Sequence, residues 1–382
     1  MHNFNFYNPT RIEFGIDKED TLADHIAKDG IHHVLICYGS QRIKNEGLFE
    51  KVTRRLVSQG ISWCDFGGII SNPVISSVRS AVEMARKEKV QAIISIGGGS
   101  VLDSAKAIAA GVDYPGDAWE LFTGDGELIS ALPIYAILTL AATGSEMNPY
   151  AVVVNEETKE KLSIGNDATR PRVTVLNPAL MTGVPREYLV YSAADIISHL
   201  IEVYFTATVL PRLQSRLIES LIKTVIETTD ILLNDPQNIA ARGEFAWAST
   251  LAQNGITFSG AADYSYPNHA IEHSLSALFD VPHGAGMSVV MPAWMKWYQS
   301  QNKAQFNRFA RVVFNVESAE EGIAALESWF TKIGTPVRLS EVNISAEALP
   351  SIIDNVKSHI RAFGIAETYS PDVVEVILQN AL

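Results

Sequence analysis

The chain has 382 residues, and 47% of them are hydrophobic, which is enough apolar material for one large domain or for two or three smaller ones. Its 43 acidic residues outnumber 30 Lys and Arg, and the net charge of −13 argues against nucleic acid or an anionic membrane as the main partner. The longest apolar run, Ala131 to Ala142, is too short to span a bilayer. The N-terminus lacks the pattern of a signal peptide, and the two cysteines form no disulfide framework, so we expect a cytoplasmic protein.

The first half of the chain alternates short apolar runs with amphipathic stretches. The segment 72–89 has helical spacing, with Pro73 near its start. The runs that resemble buried strands are 33–39, 90–100, 133–140 and 172–178. Strands that alternate with helices indicate a parallel sheet covered on both faces. We therefore predict an α/β domain with a Rossmann-like parallel sheet for residues 1–180.

Two loops near the start of this domain follow predicted strands. The loop "YGSQRIKNEGL" carries Arg42 and Lys44, where a dinucleotide fold that prefers NAD often has an acid. Positive charge there would suit the 2′-phosphate of NADP, although both residues could equally be solvated surface charges. Further on, "TLAATGSE" from Thr139 to Glu146 is rich in small residues, which leave room for a ligand at the carboxyl end of a strand.

The segment "SIGGGSVLDSAKAIA" has a strand that ends at Ile96, three glycines, and a helix that begins near Ser100. Backbone N–H groups at a helix start bind anions, and glycines let a phosphate approach closely. Neither a GxGxxG nor a Walker motif is present. The alternative is a structural turn capped by Ser100. Asp103 and Lys106, one helical turn apart, could likewise simply pair with each other.

After about Val184 the pattern becomes helical. Residues 212–233, for example, place Leu213, Leu217, Leu221 and Val225 on one helical face. Few strand signals remain, so we predict an all-helical domain for residues 181–382.

This second half contains an unusual group of histidines. His269 and His273 are four residues apart on a predicted helix, His283 follows in a turn-like setting, and upstream Asp195 and His199 form another i, i+4 pair. One Asp and several His suit a divalent first-row metal, and the lack of a thiolate argues against a structural zinc site. The alternative is that all are satisfied core residues. If Asp195, His199, His269 and His283 bind the metal, His273 is left free to act as a proton relay.

Together these motifs resemble the iron-containing (group III) alcohol dehydrogenase family, and more narrowly its NADP(H)-dependent butanol dehydrogenase and aldehyde reductase branch. The resemblance spans nearly the whole chain and includes "YNPTRIEFG", "GGGSVLDSAKAIA", "ATGSE", "DIISHLIE" and "HAIEHSLSALFDVPHG". It implies that Asp195, His199, His269 and His283 hold the metal, Fe²⁺ or Zn²⁺, and that His273 lies near the substrate. It also implies a homodimer.

The resemblance further implies a set of positions that contact the cofactor. These positions are Gly39, Ser40, Gln41, Arg42, Asn72, Gly97, Gly98, Gly99, Ser100, Asp103, Thr139, Thr143 and Lys161. Two departures from the family pattern fall in this set, the first of which bears on cofactor choice and the second on packing near the nicotinamide. Gln41 and Arg42 replace a Gly and a Ser of the first loop, and the paired threonines of the family become Thr139-Leu140.

We therefore predict a metal-dependent alcohol dehydrogenase or aldehyde reductase. It would transfer a hydride between NADP(H), or NAD(H), and a short-chain aldehyde or primary alcohol. A metal-dependent lyase or cyclase of the dehydroquinate synthase type is the alternative, but it would need a basic cluster for phosphate, and the helical half has none near the histidines. A non-catalytic metal-binding protein is a third possibility, against which the intact cofactor turn and ligand set argue.

Overall fold

The structure is a computed structural model that describes residues 1–382, and the chain divides into two compact units. The sheet unit comprises Tyr7–Thr158 and Leu162–Gly183. The helical unit comprises Met1–Phe6, Lys159–Lys161 and Val184–Leu382. None of the helices has the length and apolar character needed to cross a membrane.

Six parallel strands form the sheet of the first unit, in the order β1-β8-β5-β4-β2-β3. Their bounds are β1 Arg11–Phe14, β2 His33–Tyr38, β3 Ser62–Phe66, β4 Ala92–Gly97, β5 Ile134–Leu138 and β8 Val173–Leu176. A separate two-stranded sheet consists of β6 Tyr150–Asn155 and β7 Glu160–Gly165. The four apolar runs of the sequence are the four central strands, β2, β4, β5 and β8, which confirms the predicted parallel sheet.

Helices cover both faces of this sheet, and alternate residues of each strand point to opposite faces. Leu35 and Cys37 of β2 belong to one hydrophobic cluster, whereas Val34 and Ile36 belong to the other. Both clusters are completed by side chains from the surrounding helices. The helices of this unit are α1 Leu22–Lys28, α2 Arg42–Asn45, α3 Leu48–Ser58, α4 Ile75–Glu88, α5 Gly99–Asp113 and α6 Glu120–Thr123.

Nine α-helices make up most of the second unit. They are α7 Arg186–Thr206, α8 Arg212–Asn234, α9 Ile239–Gln253, α10 Pro267–Phe279, α11 His283–Tyr298, α12 Lys303–Phe309, α13 Ala319–Ile333, α14 Leu349–Ala362 and α15 Pro371–Gln379. Helices α7, α10 and α11 are buried over most of their length. Charged and polar side chains on such helices need partners, because burying them unpaired is costly.

The buried face of α8 differs from the one predicted. Leu221 and Val225 are buried as expected, but Leu213 is 67% exposed, and Ile218 and Ile222 complete the buried stripe. A run of residues four apart rotates by about 40° at each step, because the helix has about 3.6 residues per turn. Over the three steps from Val225 back to Leu213 the positions therefore rotate away from the buried face, and Leu213 lies outside it.

Candidate active site

Four predicted ligand residues of the helical unit converge on one point. Asp195 and His199 lie on α7, His269 near the start of α10, and His283 at the first position of α11. One ligand atom from each of Asp195, His199 and His269 lies within 4.8 Å of the other two. His283 Nε2 is 3.4 Å from Asp195 Oδ1.

The chemistry of this group fits a divalent metal ion. Asp195 Oδ1 and His269 Nε2 are buried and have no hydrogen-bond partner, a state that normally costs about 1–3 kcal/mol per group. Burial lowers the pKa of His199 to about 4 and that of His269 to about 3, so both rings are neutral and have a lone pair for a metal. Burial opposes ionisation of Asp195, but His199 and His283 outweigh it, and the pKa of Asp195 is lowered.

Two buried glutamates, which the sequence analysis did not single out, contact the ligand histidines. Glu202 lies beside His269 Nδ1, and Glu272 lies beside His283 Nδ1. Burial raises the pKa of Glu202 to about 8. The same burial acts on Glu272, but the charges of His283 and Lys161 outweigh it and lower its pKa to about 2. The available signal was position, since each glutamate follows a ligand histidine by three residues within an apolar helix.

His283 differs from the other ligand histidines in its protonation. Burial lowers its pKa, but the neighbouring Glu272 carboxylate opposes burial, and the pKa of His283 rises to about 9. A metal ion at this ring would therefore displace a proton, as metal binding to histidine requires.

His273 is buried next to this group, with its ring centroid 6.4 Å from that of His269 and 6.0 Å from that of His283. Its Nδ1 is 2.9 Å from the Lys161 carbonyl oxygen. A carbonyl only accepts hydrogen bonds, so Nδ1 carries the proton and Nε2 has the lone pair. Burial, followed by the charge of Lys161, lowers the pKa of His273 well below its usual range.

Lys161 was expected on the cofactor side, and it belongs to the helical unit. Its buried Nζ lies 3.1 Å from Ser276 Oγ and 3.5 Å from the Glu272 carboxylate. Its backbone N–H donates to His359 Nε2 at 3.1 Å. Lys161 thus brings a positive charge next to the carboxylate that contacts His283.

The glycine turn of the sheet unit begins where β4 ends, at Gly97, and α5 begins two residues later, at Gly99. Gly98 occupies the N-cap position and no side chain caps the helix, so the expected cap by Ser100 is wrong. A Cβ at position 99 would lie 2.5 Å from Thr143 Oγ1. Thr139 N–H donates to the Gly97 carbonyl at 2.9 Å. The turn and the 139–143 loop are therefore adjacent at the carboxyl end of the sheet, beside the start of α5, and N–H groups at a helix start suit a phosphate.

Asp103 and Lys106 on α5 both bind the segment that follows this loop. Asp103 accepts from the Ser145 hydroxyl at 2.6 Å and from Val152 N–H at 3.0 Å. Lys106 Nζ is fully buried and lies 2.7–3.2 Å from five oxygen atoms of Ser145, Asn148 and Tyr150. Both residues thereby hold the loop that carries Thr143 against the glycine turn.

The first loop, from Gly39 to Gln41, precedes two basic residues that each have an acidic partner. Arg42 Nε is 2.7 Å from Glu46, and Lys44 Nζ is 2.8 Å from Asp65 at the end of β3. The basic character that we inferred for this loop is therefore offset by two carboxylates, Glu46 and Asp65. Asp65 was overlooked because it lies 21 residues from Lys44 along the chain.

Two other predicted cofactor positions lie in the same part of the sheet unit. Asn72 is buried in the loop between β3 and α4, with a left-handed backbone at φ 51°, a conformation that asparagine tolerates. Ser40 Oγ accepts from the Arg42 N–H at 3.4 Å.

Comparison with known proteins gives a family match for each of the two units. Residues 9–178 match the family model described as iron-containing alcohol dehydrogenase, and residues 189–382 match the C-terminal model of the Fe-containing alcohol dehydrogenase family. The chain belongs to the iron-containing alcohol dehydrogenase family. It is therefore an oxidoreductase, a metal-dependent alcohol dehydrogenase or aldehyde reductase that uses a nicotinamide cofactor and a divalent metal, and the lyase or cyclase alternative is not favoured.

Three relatives illustrate where this iron-containing alcohol dehydrogenase falls within its family. It is 36% identical to the probable NADH-dependent butanol dehydrogenase 1 of Bacillus subtilis (strain 168), over the full length of both chains. It is 32% identical to the NADPH-dependent aldehyde reductase YqhD of Escherichia coli (strain K12), over 94% of each chain. The crystal structure of NADH-dependent butanol dehydrogenase A from Thermotoga maritima is 40% identical, with a TM-score of 0.97 and coverage of 100% of this chain and 99% of that one.

Proposed function

We propose that the enzyme interconverts short-chain aldehydes and primary alcohols, with Asp195, His199, His269 and His283 as the metal ligands. The convergence of these four side chains, two of which have buried ligand atoms without a partner, carries this proposal. The metal, when bound, would supply Lewis-acid polarisation of the substrate oxygen. The names of the butanol dehydrogenase and aldehyde reductase relatives support the substrate class.

His273 is proposed to handle the proton that accompanies hydride transfer. Its Nδ1–H donates a hydrogen bond to a backbone carbonyl, which is too weak a base to take the proton. A proton therefore enters and leaves the ring only at Nε2. Burial disfavours a lasting imidazolium, so His273 would hold the proton only briefly. Its proximity to His269 and His283 supports a position near the reacting oxygen.

The sheet unit is proposed as the cofactor-binding domain and the helical unit as the metal-binding domain. The uncapped start of α5 would receive the pyrophosphate of the cofactor. Supporting contacts would come from Gly39, Ser40, Gln41, Arg42, Asn72, Gly97, Gly98, Gly99, Ser100, Asp103, Thr139, Thr143 and Lys161. Asp103 would act through the loop that it holds, since both of its carboxylate oxygens accept hydrogen bonds from that segment.

The choice between NADP(H) and NAD(H) is the point at which we revise the sequence expectation. Arg42 and Lys44 had favoured NADP(H), but both are paired with carboxylates, and Asp65 places a negative charge beside Lys44. We therefore propose that NADH is the preferred cofactor. The two butanol dehydrogenase relatives named above are described as NADH-dependent, which supports this choice.

One experiment tests the proposal as a whole. Purified enzyme should oxidise NADH, and less efficiently NADPH, with a panel of short aldehydes, and it should contain one divalent metal per chain by mass spectrometry. His283→Ala should abolish activity and weaken metal retention. A fully metal-loaded His283→Ala protein would remove His283 from the ligand set, and the absence of aldehyde reduction by the wild type would overturn the function.

We also propose a cytoplasmic homodimer. The cysteines Cys37 and Cys64 are both free, which suits a reducing compartment. The resemblance to the family implies the dimer. Light scattering coupled to size exclusion would measure the mass in solution, and cell fractionation would test the compartment.

A further inference from the structure

Two buried glutamates of the helical unit repeat one arrangement. Glu202, near the end of α7, faces Nδ1 of His269 in the first turn of α10. Glu272, on α10, faces Nδ1 of His283 at the start of α11. Both glutamates are 0% exposed. Each therefore links its own helix to a metal-ligand candidate in the first turn of another helix.

Further contacts fix the Glu202 carboxylate. It accepts from the backbone N–H of Asn268 at 2.5 Å and from that of His269 at 3.2 Å. No side chain at the N-cap position performs this role for α10. Glu202 thus binds the start of α10 and the ring of His269 together.

Glu272 is fixed by different groups. Ser276 Oγ donates to it at 2.5 Å, and Lys161 Nζ lies 3.5 Å away. A Cβ at Gly286 would come within 2.7 Å of the Glu272 side chain, so glycine leaves the space that this carboxylate occupies between α10 and α11. The glutamate can therefore change its orientation little.

These contacts determine which ring nitrogens face Asp195. With Nδ1 directed at a glutamate, His269 Nε2 lies 3.9 Å and His283 Nε2 lies 3.4 Å from Asp195 Oδ1. A metal at Nε2 leaves the imidazole proton on Nδ1, where a glutamate oxygen accepts it. Burial raises the pKa of Glu202, but a cation bound at the ring would favour its ionised form, and a carboxylate at Nδ1 makes the ring a stronger ligand. His199 has no such partner, since its Nδ1 is buried without a hydrogen bond.

We propose that Glu202 and Glu272 are positioning residues that set the tautomer and orientation of His269 and His283 and so determine metal affinity. This inference rests on the ligand assignment proposed above. It assigns no direct contact with substrate or cofactor to either glutamate.

The test is metal affinity rather than activity. Glu202→Gln and Glu272→Gln should each weaken Co²⁺ and Zn²⁺ binding to the chelator-stripped full-length protein by roughly 10- to 100-fold, the usual effect of removing such a partner. Because the rings would reorient, the visible absorption spectrum of the Co²⁺ protein should also change. Glu272→Asp keeps the charge on a shorter side chain and should retain part of the affinity.

Glu219→Gln is the matched control, since Glu219 is a buried carboxylate on α8 that binds Tyr204 and Arg308 and contacts no histidine. It should keep wild-type metal affinity and spectrum even where stability falls. Circular dichroism identifies folded variants. Wild-type affinity and spectrum in a folded Glu202→Gln or Glu272→Gln protein would overturn the inference for that glutamate. If His283→Ala also bound metal normally, the ligand assignment itself would fail.

Discussion

At the scale of single residues, His273 is fixed through one of its two ring nitrogens. Because Nδ1 donates to a carbonyl, only Nε2 is available for proton transfer. We predict that His273→Ala keeps its metal and loses roughly ten- to ten-thousand-fold in kcat, the usual range for a general acid or base. Metal analysis and the pH dependence of kcat provide the measurement. An Ala variant that changed only KM would limit His273 to lining the pocket.

Asp65 sets the charge beside the first loop, because it binds both Lys44 and the Tyr38 hydroxyl. Asp65→Asn should free Lys44 for a 2′-phosphate. The ratio of kcat/KM for NADPH to that for NADH should then rise roughly tenfold or more, since a hydrogen bond to a charged group contributes about 1.5–3 kcal/mol. Adding Lys44→Met should cancel the gain. An unchanged ratio in the single variant would show that Lys44 does not reach the cofactor.

At the scale of elements, α5 binds the segment after the 139–143 loop through a buried lysine. Lys106→Met keeps the length of the side chain but leaves oxygens of Ser145, Asn148 and Tyr150 without their donor. Leaving a buried acceptor without its donor typically costs about 1–3 kcal/mol for each group. We expect that loss in urea unfolding, together with a higher KM for the cofactor because Thr143 is displaced from the glycine turn.

The matched control for this prediction is Lys87→Met, an exposed lysine on α4, which should change stability by no more than about 0.5 kcal/mol. Equal stabilities for the two variants would show that Lys106 does not hold the loop.

The strands differed in how well their sequence patterns predicted them. The central strands β2, β4, β5 and β8 are buried on both faces and therefore appear as continuous apolar runs. The outer strands β1 and β3 contain polar residues such as Arg11 and Asp65 and gave no comparable signal. An edge strand is paired on one side only, so its sequence is less constrained.

At the scale of the whole molecule, the i, i+4 pairs indicated which helix faces carry the ligand candidates, because helix geometry alone determines that. The i, i+4 pairs could not indicate that Glu202 contacts His269 or that Lys161 contacts Glu272. Those contacts join residues 67 and 111 positions apart in the chain and depend on how helices pack. For the same reason Asp65, the partner of Lys44, was visible only in the structure, whereas Glu46 follows Arg42 by four residues and could have been inferred from helix spacing.

Stability at low pH depends on histidines that are buried in their neutral form. His359 is fully buried, with Nε2 accepting from Lys161 N–H and Nδ1 2.9 Å from Ser274 Oγ. Burial, and then the charge of Lys161, lowers the pKa of His359 to about 4 from its usual 6.5. Between these values the unfolded chain takes up a proton that the folded protein refuses, so stability falls as the pH falls from 6.5 towards 4.

The contribution of His359 to the free energy of unfolding should fall by up to about 1.4 kcal/mol for each pH unit. Urea unfolding of the chelator-stripped protein at several pH values between 4.5 and 7 measures this slope. His359→Gln has no titrating ring, so its free energy of unfolding should depend less steeply on pH. The difference in slope should correspond to the uptake of up to one proton, whatever stability the variant loses at neutral pH. Other buried histidines add the same proton uptake to both proteins and cancel in the difference. Equal slopes would mean that His359 has the same pKa in the folded and the unfolded protein, so that burial does not keep its ring neutral.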